Sequence, residues 1–183
     1  MIGGDSVISI FGSAQAPAGS LAYEEAQLAG TLLAHAGVTI CTGGYGGLME
    51  AVSRGAKLAG AKVIGVTARS FGDMPANPWV DTEIRTVTFL ERLRTMIELG
   101  RGYLALKGGI GTLTEISTVW SLLQTRSLPL RPLVLLTDPW QELYGFCAAR
   151  LIIRPEDMRY LHLALTPDEA VRTLVEALQM ETT

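Results

Sequence analysis

The chain reads as an α/β protein: a parallel sheet with helices on both faces. Two observations carry this. Short, nearly continuous apolar runs alternate with longer stretches of helical periodicity, as buried parallel strands require. Three of those runs also end in glycine-bearing turns, where such sheets place their ligands.

In chain order, Val7-Ile8-Ser9-Ile10-Phe11 is the first apolar run and suits a central strand. It ends in Gly12-Ser13, at the edge where ligands bind. Ser20 is a candidate N-cap for a helix over 21–36, closed by Gly37. Its apolar stripe is read as Leu21, Ala22, Glu25, Leu28, Ala29 and Leu32. Val38–Thr42 is the second strand, followed by Gly43-Gly44-Tyr45-Gly46-Gly47 and a helix over 48–58. Lys62–Thr67 is the third strand, so the order so far is β-α-β-α-β, a right-handed, Rossmann-like arrangement. Arg69–Glu83 carries Gly72, Pro75, Asn77, Pro78 and Trp79 without periodicity. A loop of that length in a compact domain is often a lid or specificity segment, the alternative being an inert surface excursion. A short strand over 84–88 and a helix over 89–99 follow; Leu90, Leu93, Met96 and Ile97 form the helix's apolar face and Arg92 falls off it.

Tyr103–Gln124 is the most informative stretch: a buried strand (103–106), a turn from Lys107 to Thr112, then a long helix. Gly108, Gly109 and Gly111 let the backbone turn sharply and approach a ligand. A helix N-terminus directly after such a turn favours an anion, most often a phosphate. Thr112-Leu113-Thr114-Glu115 also fits a capping box, with Thr112 as N-cap and Glu115 at N3. Beyond it lie a strand over 133–136, a helix over 140–152, a short strand over 160–165, and a last helix opened by Thr166-Pro167-Asp168-Glu169.

The 183 residues are read as one domain, 1–183, with no repeat or linker. Hydrophobic residues make up 48% and charged residues 18%, an ordinary globular balance. Mean hydropathy is positive, which points to extensive burial or an apolar interface with another chain. A net charge of −3 gives no general attraction to nucleic acid or an anionic membrane. Two cysteines and two histidines, all isolated, show no metal-ligand spacing. No signal-peptide layout or bilayer-length apolar run is present, so the expected location is the cytoplasm. No metal or cofactor is expected.

The phosphate motifs of known chemistry can be sorted. The first turn, Gly12-Ser13-Ala14-Gln15-Ala16, does not match G-x-G-x-x-G; neither glycine turn ends in G-K-[S/T]; no G-x-S-x-G elbow occurs. What the chain does resemble is the LOG family, long labelled "lysine decarboxylase-like". The family hallmark P-G-G-x-G-T-x-x-E stands here as Lys107-Gly108-Gly109-Ile110-Gly111-Thr112-Leu113-Thr114-Glu115. Its earlier G-G-x-x-G-L-M element matches Gly43-Gly44-Tyr45-Gly46-Gly47-Leu48-Met49. Its E-R pair matches Glu91-Arg92 and its G-S matches Gly12-Ser13.

The resemblance implies phosphoribohydrolase activity, cleaving a nucleoside 5′-monophosphate to free base and ribose 5-phosphate. It implies Arg92 and Glu115 as the catalytic pair and a homodimer or higher homo-oligomer with the site near its interface. Molybdenum-cofactor carriers are relatives too, so the alternative is a nucleotide or cofactor binder without turnover. In the hydrolytic reading, Gly108, Gly109, Gly111 and Thr112 hold the phosphate. Gly12, Ser13, Gly43, Gly44, Gly47 and Met49 line the nucleotide, and Asn77 reaches it from the long loop. The chain departs from the family pattern in four places. Lys107 replaces the hallmark proline, Leu93 replaces a lysine after Arg92, Thr114 replaces the first of the tandem acids so that only Glu115 is kept, and Arg101 stands where an acid is common.

Overall fold

The computed structural model describes residues 6–136 and 138–180. In chain order these form β1 (Val7–Phe11), α1 (Leu21–His35), β2 (Thr39–Thr42), α2 (Leu48–Leu58), β3 (Val63–Ala68), a 3-10 turn (Arg69–Phe71), β4 (Thr82–Thr86), α3 (Phe89–Leu99), β5 (Gly102–Ala105), α4 (Ile110–Gln124), β6 (Leu133–Leu136), α5 (Trp140–Arg150), α6 (Pro155–Met158), β7 (Leu161–Ala164) and α7 (Pro167–Met180). The seven strands form one parallel sheet in the order β4-β3-β2-β1-β5-β6-β7. The predicted α/β sheet with helices on both faces is the fold found.

The two faces carry separate cores. Ile8, Ile10, Leu104 and Val134 pack with α1, α2 and α7 on one side. Phe11, Cys41, Tyr103 and Leu135 pack with α3, α4 and Trp140 of α5 on the other. The central strands β1, β2, β5 and β6 are buried almost throughout, which is why their sequences are apolar without alternation.

Several local expectations shift. The inward face of α1 is Tyr23, Ala26, Ala29, Gly30 and Leu33, while Leu21 and Leu28 are exposed. Small residues face inward because α1 lies almost on α2: a Cβ on Gly30 would overlap the Val52 carbonyl, and one on Gly55 would overlap that of Gln27. Gly30→Ala is therefore expected to destabilise by about 1–3 kcal/mol from overpacking, outweighing the gain of roughly 0.5–1 kcal/mol from removing a helical glycine. Urea unfolding measures it, and an unchanged midpoint would contradict such close packing.

β4 lies two residues earlier than expected because Thr88 is taken as the N-cap of α3, in a capping box with Glu91. Leu90, expected in the core, is exposed, and Arg92, expected outside, is buried. The 3-10 turn and α6 were not anticipated.

Candidate functional site

Three turns meet at the carboxyl edge of the sheet, and Ser13 joins them. Its N–H donates to the Lys107 carbonyl (3.1 Å), and its own carbonyl accepts the Leu48 N–H (2.8 Å). The loop after β1 is thus tied both to the turn before α4 and to the start of α2. The Ser13 hydroxyl accepts the Gln15 N–H at 3.0 Å. Gly12 has Leu48 Cβ 3.1 Å from where a Cβ would stand. Gly47, at φ +65, caps α2, and a Cβ there would lie 2.5 Å from the Ser13 carbonyl oxygen. Gly44 also has positive φ, +77. These two positions require glycine on conformational grounds, and Gly47 also on space.

The turn before α4 differs from the capping-box expectation. Gly109, not Thr112, is the N-cap, and the helix starts at Ile110. Thr112 lies inside the first turn, 3% exposed, with its hydroxyl against Gly108. Glu115 consequently sits in the second turn and faces inward. A side chain on Gly109 or Gly111 would meet nothing within 4 Å. The backbone at the start of α4 is thus uncovered and exposed over 109–111, and the first N–H groups of a helix, which have no partner within it, suit an anion.

Glu115 meets Arg92. Arg92 Nη1 stands 3.4 Å from Glu115 Oε1, and each residue is 5% exposed. The guanidinium is held on every side. Nε donates to the Val66 carbonyl at 2.8 Å. Nη2 lies 3.9 Å from the Met49 sulfur. The Tyr45 and Phe71 rings each sit 5.8 Å away, in cation–π range. A Cβ on Gly43 would overlap Nη2, so this glycine makes room for the arginine.

Burial pushes the Glu115 carboxyl up from 4.5 to about 7, against the opposing pull of Arg92. Cys41, on the neighbouring strand, is pushed up to about 12 by burial, and a hydrogen bond with Ser9 opposes this only partly. It is a neutral, inert thiol.

The long loop lies over the second glycine turn. Asn77 donates its N–H to the Gly44 carbonyl (2.7 Å) and its side-chain amide to the Gly44 and Tyr45 carbonyls (3.2 and 3.0 Å). Its Oδ1 accepts the Trp79 N–H at 3.1 Å. Asn77 thus clamps the loop in place, and both of its amide donor directions are occupied. Arg54 stacks over Trp79 at 5.6 Å, and Asp81 pairs with Lys57. Phe71, at the loop's start, reaches over Arg92.

Sequence reading missed Tyr45 and Phe71. Tyr45 was visible inside the glycine turn; its hydroxyl accepts the Ala68 N–H (2.9 Å) and donates to the Ala68 carbonyl (3.2 Å), pinning the turn to β3. Phe71 had no local signal. Among the described residues no cluster of three or more His, Cys, Asp or Glu could hold a metal ion, and no helix is long and apolar enough to cross a membrane.

Fold and site define a Rossmann-like α/β protein whose carboxyl edge carries two glycine turns around a buried arginine–glutamate pair. The sequence pattern of the family described as "possible lysine decarboxylase" matches residues 49–174, and the chain belongs to this family, the LOG family. An uncharacterized protein of Archaeoglobus fulgidus is 33% identical over 95 residues, 52% of this chain and 62% of that one. The chain thus spans less than two thirds of that relative. A cytokinin riboside 5′-monophosphate phosphoribohydrolase of Mycobacterium tuberculosis is 25% identical over 154 residues, covering 80% of this chain and 78% of that one. The molybdenum cofactor binding protein of Rippkaea orientalis shares the fold, with a TM-score of 0.76 at 23% identity over 97% of this chain and 98% of that one.

Proposed function

We propose that the protein hydrolyses the N-glycosidic bond of a nucleoside 5′-monophosphate. The observation that carries this reading is the Arg92–Glu115 contact, which brings the two motif residues together beside the open N-terminus of α4. The phosphate sits on the N–H groups from Gly109 to Thr112. As the C1′–N bond breaks, its electron pair leaves with the base, and positive charge builds on the ribose. The Glu115 carboxylate offsets that charge and orients the water whose oxygen bonds to C1′; one of the water's protons stays on the new C1′ hydroxyl and the other passes to the leaving base. Arg92, whose Nε donates to the Val66 carbonyl and whose Nη1 lies on Glu115, positions the carboxylate rather than binding the phosphate. A ribose reaching Glu115 displaces the Phe71 ring, which is 42% exposed.

The test is incubation with a panel of nucleoside 5′-monophosphates, following free base by chromatography. Release of base supports hydrolysis. Binding without release from any member favours the second reading, a nucleotide or molybdenum-cofactor carrier. One feature favours that alternative: the pair is closed over by Met49, Tyr45 and Phe71.

The reading includes a homodimer through the outer face of α4. Glu115 is the only charged residue between Ile110 and Gln124, and it points inward. Ile110 is 80% exposed, and Leu113, Ser117, Ser121 and Leu122 border a groove of about 460 Å³. A helix without charge on its solvent side suits a protein interface. Light scattering on a sizing column should give a dimer for the wild type and a monomer for Ser117→Arg; a monomeric wild type would overturn this.

A further inference from the structure

A cavity of about 620 Å³ lies at the amino edge of the sheet, the edge opposite the glycine turns. It is bounded by 130–132 just before β6, by 156–162 around the start of β7, and by the last turn of α7. Leu130, Pro132, Ala177 and Met180 give it an apolar wall, and Leu130 and Met180 are 73% and 80% exposed. Arg131 and Arg159 stand in the same wall.

Arg131 reaches inward. Its Nη1 donates to the Gly100 carbonyl (2.5 Å), the Tyr103 hydroxyl (3.1 Å) and the Ile97 carbonyl (3.3 Å), which ties the cavity to the end of α3. All three acceptors are neutral, so the guanidinium has no carboxylate partner among the described residues. Its Nε and Nη2 have no hydrogen-bond partner there either. No fully buried side-chain nitrogen or oxygen among the described residues lacks a partner, so these two donors are reachable from outside. Arg159 is exposed and makes no hydrogen bond or ion pair among the described residues. Glu156, the acid of this wall, lies 3.5 Å from Arg154 Nη1. His162, its pKa pushed down by burial, adds no negative charge. α7 ends here, and the carboxyl end of a helix carries about half a negative charge, which two guanidinium groups outweigh.

The volume falls within the roughly 300–1,000 Å³ of sites that hold small organic molecules. An apolar wall takes an apolar body, and planar guanidinium donors match a carboxylate or phosphate head. From this geometry we infer that the amino-edge cavity binds an organic anion with an apolar body, its charged head at Arg131 and Arg159. It is a second site, on the opposite edge of the sheet from Glu115, and it needs nothing from the nucleotide reading.

Octanoate, octyl phosphate and 1-octanol, each titrated into the full chain and followed by NMR, test this. At least one of the two anions should shift the Leu130 and Met180 methyl signals and the Arg131 Nε–H signal. It should bind about tenfold more tightly than octanol, for hydrogen bonds to a charged group. The tighter of the two anions tells a carboxylate ligand from a phosphate ester, and equal binding leaves the shared anion chemistry standing. Arg159→Glu alters an exposed side chain, so the fold persists; it should weaken anion binding roughly threefold or more and spare octanol. Glu115→Gln should change neither. Octanol binding as tightly as both anions, an unmoved Arg131 Nε–H signal, or anion affinity unchanged in Arg159→Glu would reduce the cavity to an apolar patch and overturn the site. Anion binding lost in Glu115→Gln would move the ligand to the carboxyl edge and overturn it as well.

Discussion

Glu115→Gln is expected to lower release of free base by about 10²–10³-fold, the loss typical when one preorganised electrostatic partner of a transition state is removed. Glutamine keeps the volume of the side chain and a carbonyl oxygen for Arg92 Nη1, so the fold persists and circular dichroism should be unchanged. The charge that offsets the ribosyl cation is what disappears. In the wild type that charge is itself pH-dependent. Burial holds the Glu115 carboxyl near 7 instead of 4.5, so the ionised form, and with it the rate, should rise as pH climbs through about 7.

Stability runs the other way. The folded protein keeps the Glu115 proton up to about pH 7, whereas the unfolded chain releases it near 4.5. The stability this confers is fully present below pH 4.5 and is lost as pH rises through 7, on the order of 3 kcal/mol. Urea unfolding at pH 4.5 and pH 8 should show that loss in the wild type and not in Glu115→Gln. Equal slopes in the two proteins would mean that Glu115 is already ionised in the fold, and the neutral-pH rate limb would go with it.

The sheet was legible because parallel strands buried on both faces must be written as unbroken apolar runs, and β1, β2, β5 and β6 are. The glycine turns were legible for a different reason. Positions such as Gly44 and Gly47 need positive φ, and few other residues supply it. The burial of Arg92 was not legible. Helical periodicity puts it off the apolar stripe of α3, and the groups that enclose it, Tyr45, Phe71 and the Val66 carbonyl among them, are brought in from distant segments. The start of α4 was misread because Thr112 and Glu115 fit a capping box. That four-residue pattern carries no information about a chain already turning into helix at Gly109. Asn77, expected against a ligand, spends its amide on the Gly44 and Tyr45 carbonyls, partners that appear only once the loop folds back.

Gly43→Ala is expected to destabilise the protein by about 3–5 kcal/mol, the cost of breaking a buried ion pair by displacing one member. The backbone at Gly43 does not have the positive φ of Gly44 or Gly47, so alanine introduces no conformational strain. Its methyl carbon, however, would occupy the position of Arg92 Nη2 and come within 2.5 Å of the Met49 sulfur. The guanidinium cannot yield in place, since Val66 fixes Nε and the Tyr45 and Phe71 rings flank the plane. It must leave the pocket, and Glu115 then stays buried without its cation. A double-mutant cycle isolates this cause. In an Arg92→Met background the arginine is already gone, so adding Gly43→Ala should cost only the residual crowding of Met49, roughly 1 kcal/mol. Urea unfolding of the four proteins at pH 8, where Glu115 is ionised, gives the coupling. If Gly43→Ala costs the same with and without Arg92, the glycine serves the turn rather than the arginine. The second motif would then be a backbone requirement with no bearing on the buried pair.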